Sequence, residues 1–157
     1  MTPRSWWIAC GIAVAVVAAV TAWASAGVAV PWRSAPPPVA ANTVEGKALY
    51  QTNCASCHGA RGEGQPDWKT KKADGSYPPP PHDPSGHTWH HADGLLFRIV
   101  RDGGQTAAPP GFKSGMPAWN GTLSDAQIRA TLEYIKTFWG TTEREFQTEV
   151  SVRDPYP

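Results

Sequence analysis

Cys54-Ala55-Ser56-Cys57-His58 is the stretch on which the reading of this chain turns. Two thiols three positions apart, followed at once by an imidazole, form the C-x-x-C-H spacing of covalent haem attachment. There the thiols make thioethers with the porphyrin vinyl groups and the histidine binds the iron. The spacing delivers both sulfurs and the ring to one porphyrin from a single helical turn. One covalent haem c, held by Cys54, Cys57 and His58, is therefore the expected cofactor.

Two other chemistries use the same residue types. A thioredoxin-like dithiol follows a β-strand at a helix start, whereas Glu45–Asn53 ahead of Cys54 reads as helix. A Cys₂His₂ zinc site would need Cys54 and Cys57 to join two of His87, His90 and His91.

A haem iron with one histidine has either a sixth ligand or an open site. The chain has 2 methionines, and one of them is the initiator. Met116 is thus the candidate, in Lys113-Ser114-Gly115-Met116-Pro117-Ala118-Trp119, a loop bounded by Gly and Pro where a thioether can be held over a haem face. The plain alternative is a methionine that fills core space.

With these residues in place the chain resembles a class I cytochrome c from about Asn42 to Trp139. The resemblance rests on Cys54–Gly59, on Gly115-Met116-Pro117 and on a closing helix ending Leu132-Glu133-Tyr134-Ile135. It implies an all-α fold, a small shell of about three to five helices around one covalently bound haem, with long irregular loops. His58 and Met116 would be the axial ligands of the iron, and the function one-electron transfer rather than enzymatic catalysis. The expected setting is respiratory or periplasmic electron transport. Redox protein partners would be a membrane respiratory complex, or a periplasmic dehydrogenase and a terminal oxidase. The resemblance further implies that a proline segment within Pro79–Pro81 orients His58 through a backbone carbonyl. It also implies that Gly46 lets the first helix cross the last one closely near Tyr134.

Local pattern places the helices. Asn42 with Glu45 three positions on predicts an N-cap and a first helix running to about Asn53. Asp93 is the expected N-cap of a middle helix through Val100, with Leu95, Leu96, Ile99 and Val100 apolar and Gly103-Gly104 as its stop. Ser124-Asp125-Ala126-Gln127 reads as a capping box, and Ile128, Leu132, Ile135 and Trp139 form a helical stripe ended by Gly140. Thr142 with Glu145 predicts one more short turn before a frayed tail.

Residues 60–92 show almost no periodicity, and a loop of that length in a small domain is usually functional or wraps a ligand. It contains the basic run Lys69-Thr70-Lys71-Lys72, which with Ala108–Lys113 is a candidate docking surface for a redox partner. It also contains His82, His87, His90 and His91, which suit either a copper or zinc site or hydrogen bonds and packing with Trp89.

At the other end, Trp6 to Trp32 carries no charge, and Ile8–Val30 is long enough as a helix to cross a bilayer core of ~30 Å. Residues 1–32 read as a transmembrane anchor or as a signal segment with Ala24-Ser25-Ala26 as its cleavage site. Either places the rest across the membrane: an inner-membrane, single-pass protein with a periplasmic domain, or a soluble periplasmic one. Residues 33–43, rich in Pro and Ala, read as a linker, and 44–157 as the cytochrome c domain.

The bulk numbers bound the rest. The chain has 157 residues, enough for one small domain beyond that segment. A net charge of +1 leaves no field to gather nucleic acid. With 15 Gly and 16 Pro, loops must make up much of the fold. Two alternatives to an electron carrier stay open at this level: a haem-based ligand sensor or small peroxidase in which Met116 leaves the iron, and a copper-handling protein using the His-rich loop.

Overall fold

In the computed structural model, residues 39–157 are described, with side chains from Thr43 onward. The expected anchor or signal segment, and residues 33–38 of the expected linker, lie outside the described residues. Among the described residues no helix is long and apolar enough to cross a membrane.

Five α-helices and three 3₁₀ turns follow in order, with no strand among the described residues. They are α1 (Val39–Asn53), α2 (Ala55–His58), α3 (Asp93–Asp102), α4 (Asp125–Ile135) and α5 (Thr141–Ser151). The 3₁₀ turns are Thr88–His90, Gly104–Ala107 and Lys136–Phe138. The all-helical expectation is met.

α1 begins at Val39, so Asn42 lies inside it rather than capping it. The reason is local: Val39-Ala40-Ala41 follows directly on the last proline of the run, and alanine has the strongest helix propensity of any residue. The dominant packing is α1 against α4. A Cβ on Gly46 would land on the Ala130 carbonyl and lie 3.1 Å from the Tyr134 Cβ, so only glycine permits this crossing.

Around the crossing sits one apolar cluster of Tyr50, Leu96, Phe97, Val100, Leu123, Ile128, Leu132, Ile135 and Trp139. Each large side chain in it contributes about 1.5–3 kcal/mol through burial. Tyr50, Phe97 and Ile128 are fully buried. The Ser124/Gln127 capping box forms in both directions. The stripe on α4 is buried as its spacing predicts.

Three boundaries differ from the sequence pattern, each because a tertiary partner claims the residue. Ala92, not Asp93, is the N-cap of α3. The Asp93 carboxylate instead pairs with Lys136 Nζ at 2.8 Å and accepts from Gln147 Nε2 at 2.6 Å. α4 passes into a 3₁₀ turn before Trp139, and Gly140 is the N-cap of α5, a full 11-residue helix rather than a single turn. The tail is pinned, not frayed. Arg98 grips Asp154 with two bonds of 3.0 and 2.7 Å, and the Gly94 amide donates to the Asp154 carbonyl at 2.8 Å.

Candidate functional site

α1 runs almost without break into α2, which carries Ala55–His58. The amides of Cys57 and His58 both donate to the Cys54 carbonyl, at 3.1 and 2.9 Å, so the motif is wound into one turn. Both thiols are free, Cys54 half-buried and Cys57 exposed. Burial first, then the neighbouring Cys57, pushes the Cys54 thiol up to about 11. A redox dithiol needs the opposite shift and a preceding strand, so the thioredoxin-like alternative finds no support in either respect.

His58 is only 8% exposed. Its Nδ1 lies 2.9 Å from the Pro80 carbonyl, which identifies the orienting residue that the four-proline run left open. Burial lowers the imidazole below its ordinary range, outweighing the Pro80 carbonyl, which acts the other way. The ring is accordingly neutral, with Nδ1 occupied and Nε2 left as the nitrogen available to a metal.

The carbonyl is aimed by pairing of two loop segments. Gly64 N donates to the His58 carbonyl at 2.8 Å and Gln65 N to the Pro79 carbonyl at 3.0 Å. Gly64 has φ +70°, and a Cβ there would press on the Pro81 nitrogen and lie 2.8 Å from the Pro80 carbonyl carbon. Side chains close the turn: Tyr50 donates to the Gly59 carbonyl at 2.8 Å and Gln65 to the Cys57 carbonyl at 2.9 Å.

Met116 comes from the loop ahead of α4. It packs, as Cys54 does, against the common apolar cluster. Its carbonyl accepts from Gly104 N at 3.1 Å and its amide donates to Ser114 Oγ at 3.2 Å. The thioether thus belongs to a tethered loop rather than a helix face.

Of the four loop histidines, His87 and His91 meet edge to face with centroids 5.4 Å apart, and the others turn to different partners. His87 stacks on Trp68 with centroids 5.4 Å apart, and His90 stacks on Trp89 at 3.6 Å. His82 Nδ1 lies 2.9 Å from Thr88 Oγ1. Among the described residues no group of three or more His, Cys, Asp or Glu side chains is placed to hold a metal ion. The Cys₂His₂ zinc set and the copper site in the His-rich loop are not formed among the described residues: His87 and His90 lie on Trp68 and Trp89, and His82 is turned to Thr88 and the His58 ring.

Sequence reasoning passed over two features here. The His82 ring lies on the His58 ring, centroids 4.1 Å apart and planes 22° apart. Its place directly after the proline run was the available signal. The second is the Trp89 indole N–H, a buried donor with no partner among the described residues.

These observations test the fit to a c-type haem. Two free thiols and a neutral imidazole with its second nitrogen open are the donor set that such a group takes. The residues fit.

A small all-helical shell with this thiol and imidazole set at the end of its first long helix is that of a class I c-type cytochrome. A family model described as Cytochrome c matches residues 43–139, and the chain belongs to that family. It is a haem-based electron carrier with a covalently bound c-type haem, and redox proteins are its partners. No solved structure matches the chain.

Proposed function

We propose that this chain carries single electrons through an iron held by His58 and Met116, in a haem joined to Cys54 and Cys57. The observation that carries the reading is the 2.9 Å contact of His58 Nδ1 with the Pro80 carbonyl, which leaves Nε2 to bind metal in a buried, uncharged ring. When bound, the haem supplies an Fe(II)/Fe(III) couple, whose potential a Met/His pair raises.

The protein's own part is positioning. Tyr50, Gly64 and Gln65 hold the turn that fixes His58, and the α1–α4 crossing holds the helix that delivers the thiols. Ser114 and Gly104 hold the Met116 backbone. Were His58 and Met116 both to hold the iron, no ligand site would remain for substrate chemistry, which favours transfer over catalysis.

Partner docking belongs to the loop face. Lys69 lies 4.8 Å over the Trp68 ring and Lys71 5.8 Å over Tyr77, and Tyr77 stacks on the exposed Phe112 at 4.9 Å. A bridge between Ser76 and Lys113 joins this loop to the one that carries Met116. Such a basic, aromatic face mainly raises the encounter rate with an acidic redox partner. The setting we propose is respiratory or periplasmic electron transport, with residues 1–32 anchoring or exporting the domain.

The test is the absorption spectrum of the haem-loaded chain, ferric and ferrous, native and denatured. Haem that survives denaturation and a low-spin native spectrum are expected. Met116→Ala should lower the potential and admit carbon monoxide to the ferrous iron. An unchanged spectrum and potential in that variant would remove Met116 from the iron.

A further inference from the structure

His82 touches the site without belonging to the attachment motif, and every polar group it offers on its Nδ1 and backbone side is committed. Its amide donates to the Gly62 carbonyl at 2.7 Å, and its carbonyl accepts from Trp139 Nε1 at 2.7 Å. Thr88 Oγ1, in a buried residue, donates to the Pro81 carbonyl at 3.4 Å. The same hydroxyl lies 2.9 Å from His82 Nδ1 and so ties the ring to the loop. The edge of Tyr50 closes another side, with centroids 6.2 Å apart. Few side chains in the loop are held at so many points.

What the clamped ring does follows from its contact with His58. A single hydrogen bond at Nδ1 fixes one direction in the His58 plane but lets the ring rock about the contact with Pro80. A second ring lying 4.1 Å away at 22° removes that freedom. The orientation of an axial imidazole plane is one of the means by which a protein tunes a bound iron.

We propose that His82 is a positioning residue for His58: its stacked ring sets the plane of the imidazole and, through it, the electronic state and reduction potential of the iron. The inference rests on the assignment of His58 as an iron ligand. A side chain that only filled space there would need neither a flat ring nor the Thr88 tether.

The experiment uses the haem-loaded protein with His82→Leu, His82→Phe and Thr88→Val. The readouts are the reduction potential, the ferric electron-paramagnetic g values and the spread of haem-methyl proton shifts. His82→Leu is expected to shift all three, and His82→Phe, which keeps a flat ring, to restore them most of the way. Thr88→Val should shift them in the same sense by less. Unchanged g values and methyl shifts in His82→Leu would overturn the proposal, as would equal displacement in His82→Leu and His82→Phe. Should His82→Leu fail to accumulate, His82→Ala takes its place with the same readouts: wild-type g values and methyl shifts in that variant sink the idea. Failure of the underlying assignment is a separate result, seen as a haem-loaded His58→Ala variant that keeps the wild-type low-spin spectrum.

Discussion

The two sides of this molecule are held by different physics. On the helical side, α1 crosses α4 by shape, and the seam between α3, α4 and the tail is closed by charge. Lys136, with its side chain 16% exposed, bridges Asp93 and Glu133 at 2.8 Å each, and Tyr156 donates to Glu133 at 3.1 Å. On the loop side, from Gly59 to His91, no ion pair between side chains occurs among the described residues; backbone carbonyls, prolines and stacked rings do the holding. The Lys136 and Arg98 pairs tie the frame, while the contacts on the His58 ring itself, the Pro80 carbonyl and the His82 ring, are neutral.

Four changes probe that division, in falling order of expected effect. Gly46→Ala puts a methyl on the Ala130 carbonyl and should cost more than about 4 kcal/mol, or prevent folding, in a denaturant titration. Lys136→Met leaves two half-buried carboxylates facing each other and should cost about 3 kcal/mol while leaving the haem spectrum unchanged. A spectral change there would break the comparison.

Gly64→Ala should behave the other way round. It adds about 1–2 kcal/mol of left-handed backbone strain to a clash with the Pro81 nitrogen, and by displacing the Pro80 carbonyl shifts the reduction potential. A potential equal to that of the wild type would show that the loop is not the tuning element.

The smallest effect is on acid stability. Hydrogen bonds from Arg98 hold the Asp154 carboxyl below its ordinary value of 3.8. A depressed folded-state value means that this contribution is present above pH 3.8 and is lost as pH falls below it. Asp154→Asn should therefore lower stability slightly at neutral pH and flatten its decline in acid, as read by thermal unfolding across pH.

The same division explains what could be read from the sequence. The attachment motif, the capping box at Ser124 and the stripe Ile128, Leu132, Ile135 are local patterns, and the structure places them as read. Asp93 was legible as a helix start but not as a partner of Lys136, since that pairing spans forty-odd positions. Gly140 looked like a stop and serves as a start, because Trp139 turns inward to reach the His82 carbonyl. The loop was least legible: its order comes from Gly62 meeting His82 and Gly64 meeting Pro81, contacts with no periodicity to announce them. His82 itself read as one member of a histidine group, and only the third dimension separated it from the others.

The α1–α4 crossing also dictates an order of events during synthesis. Gly46 and Ala130 stand more than eighty positions apart in the chain, and contacts of that separation form late because a long loop must close first. The helix that leads into the two thiols therefore emerges and waits, without this partner, until α4 has followed. During that interval Cys54, half-buried in the finished fold, is as accessible as Cys57, which stays exposed throughout.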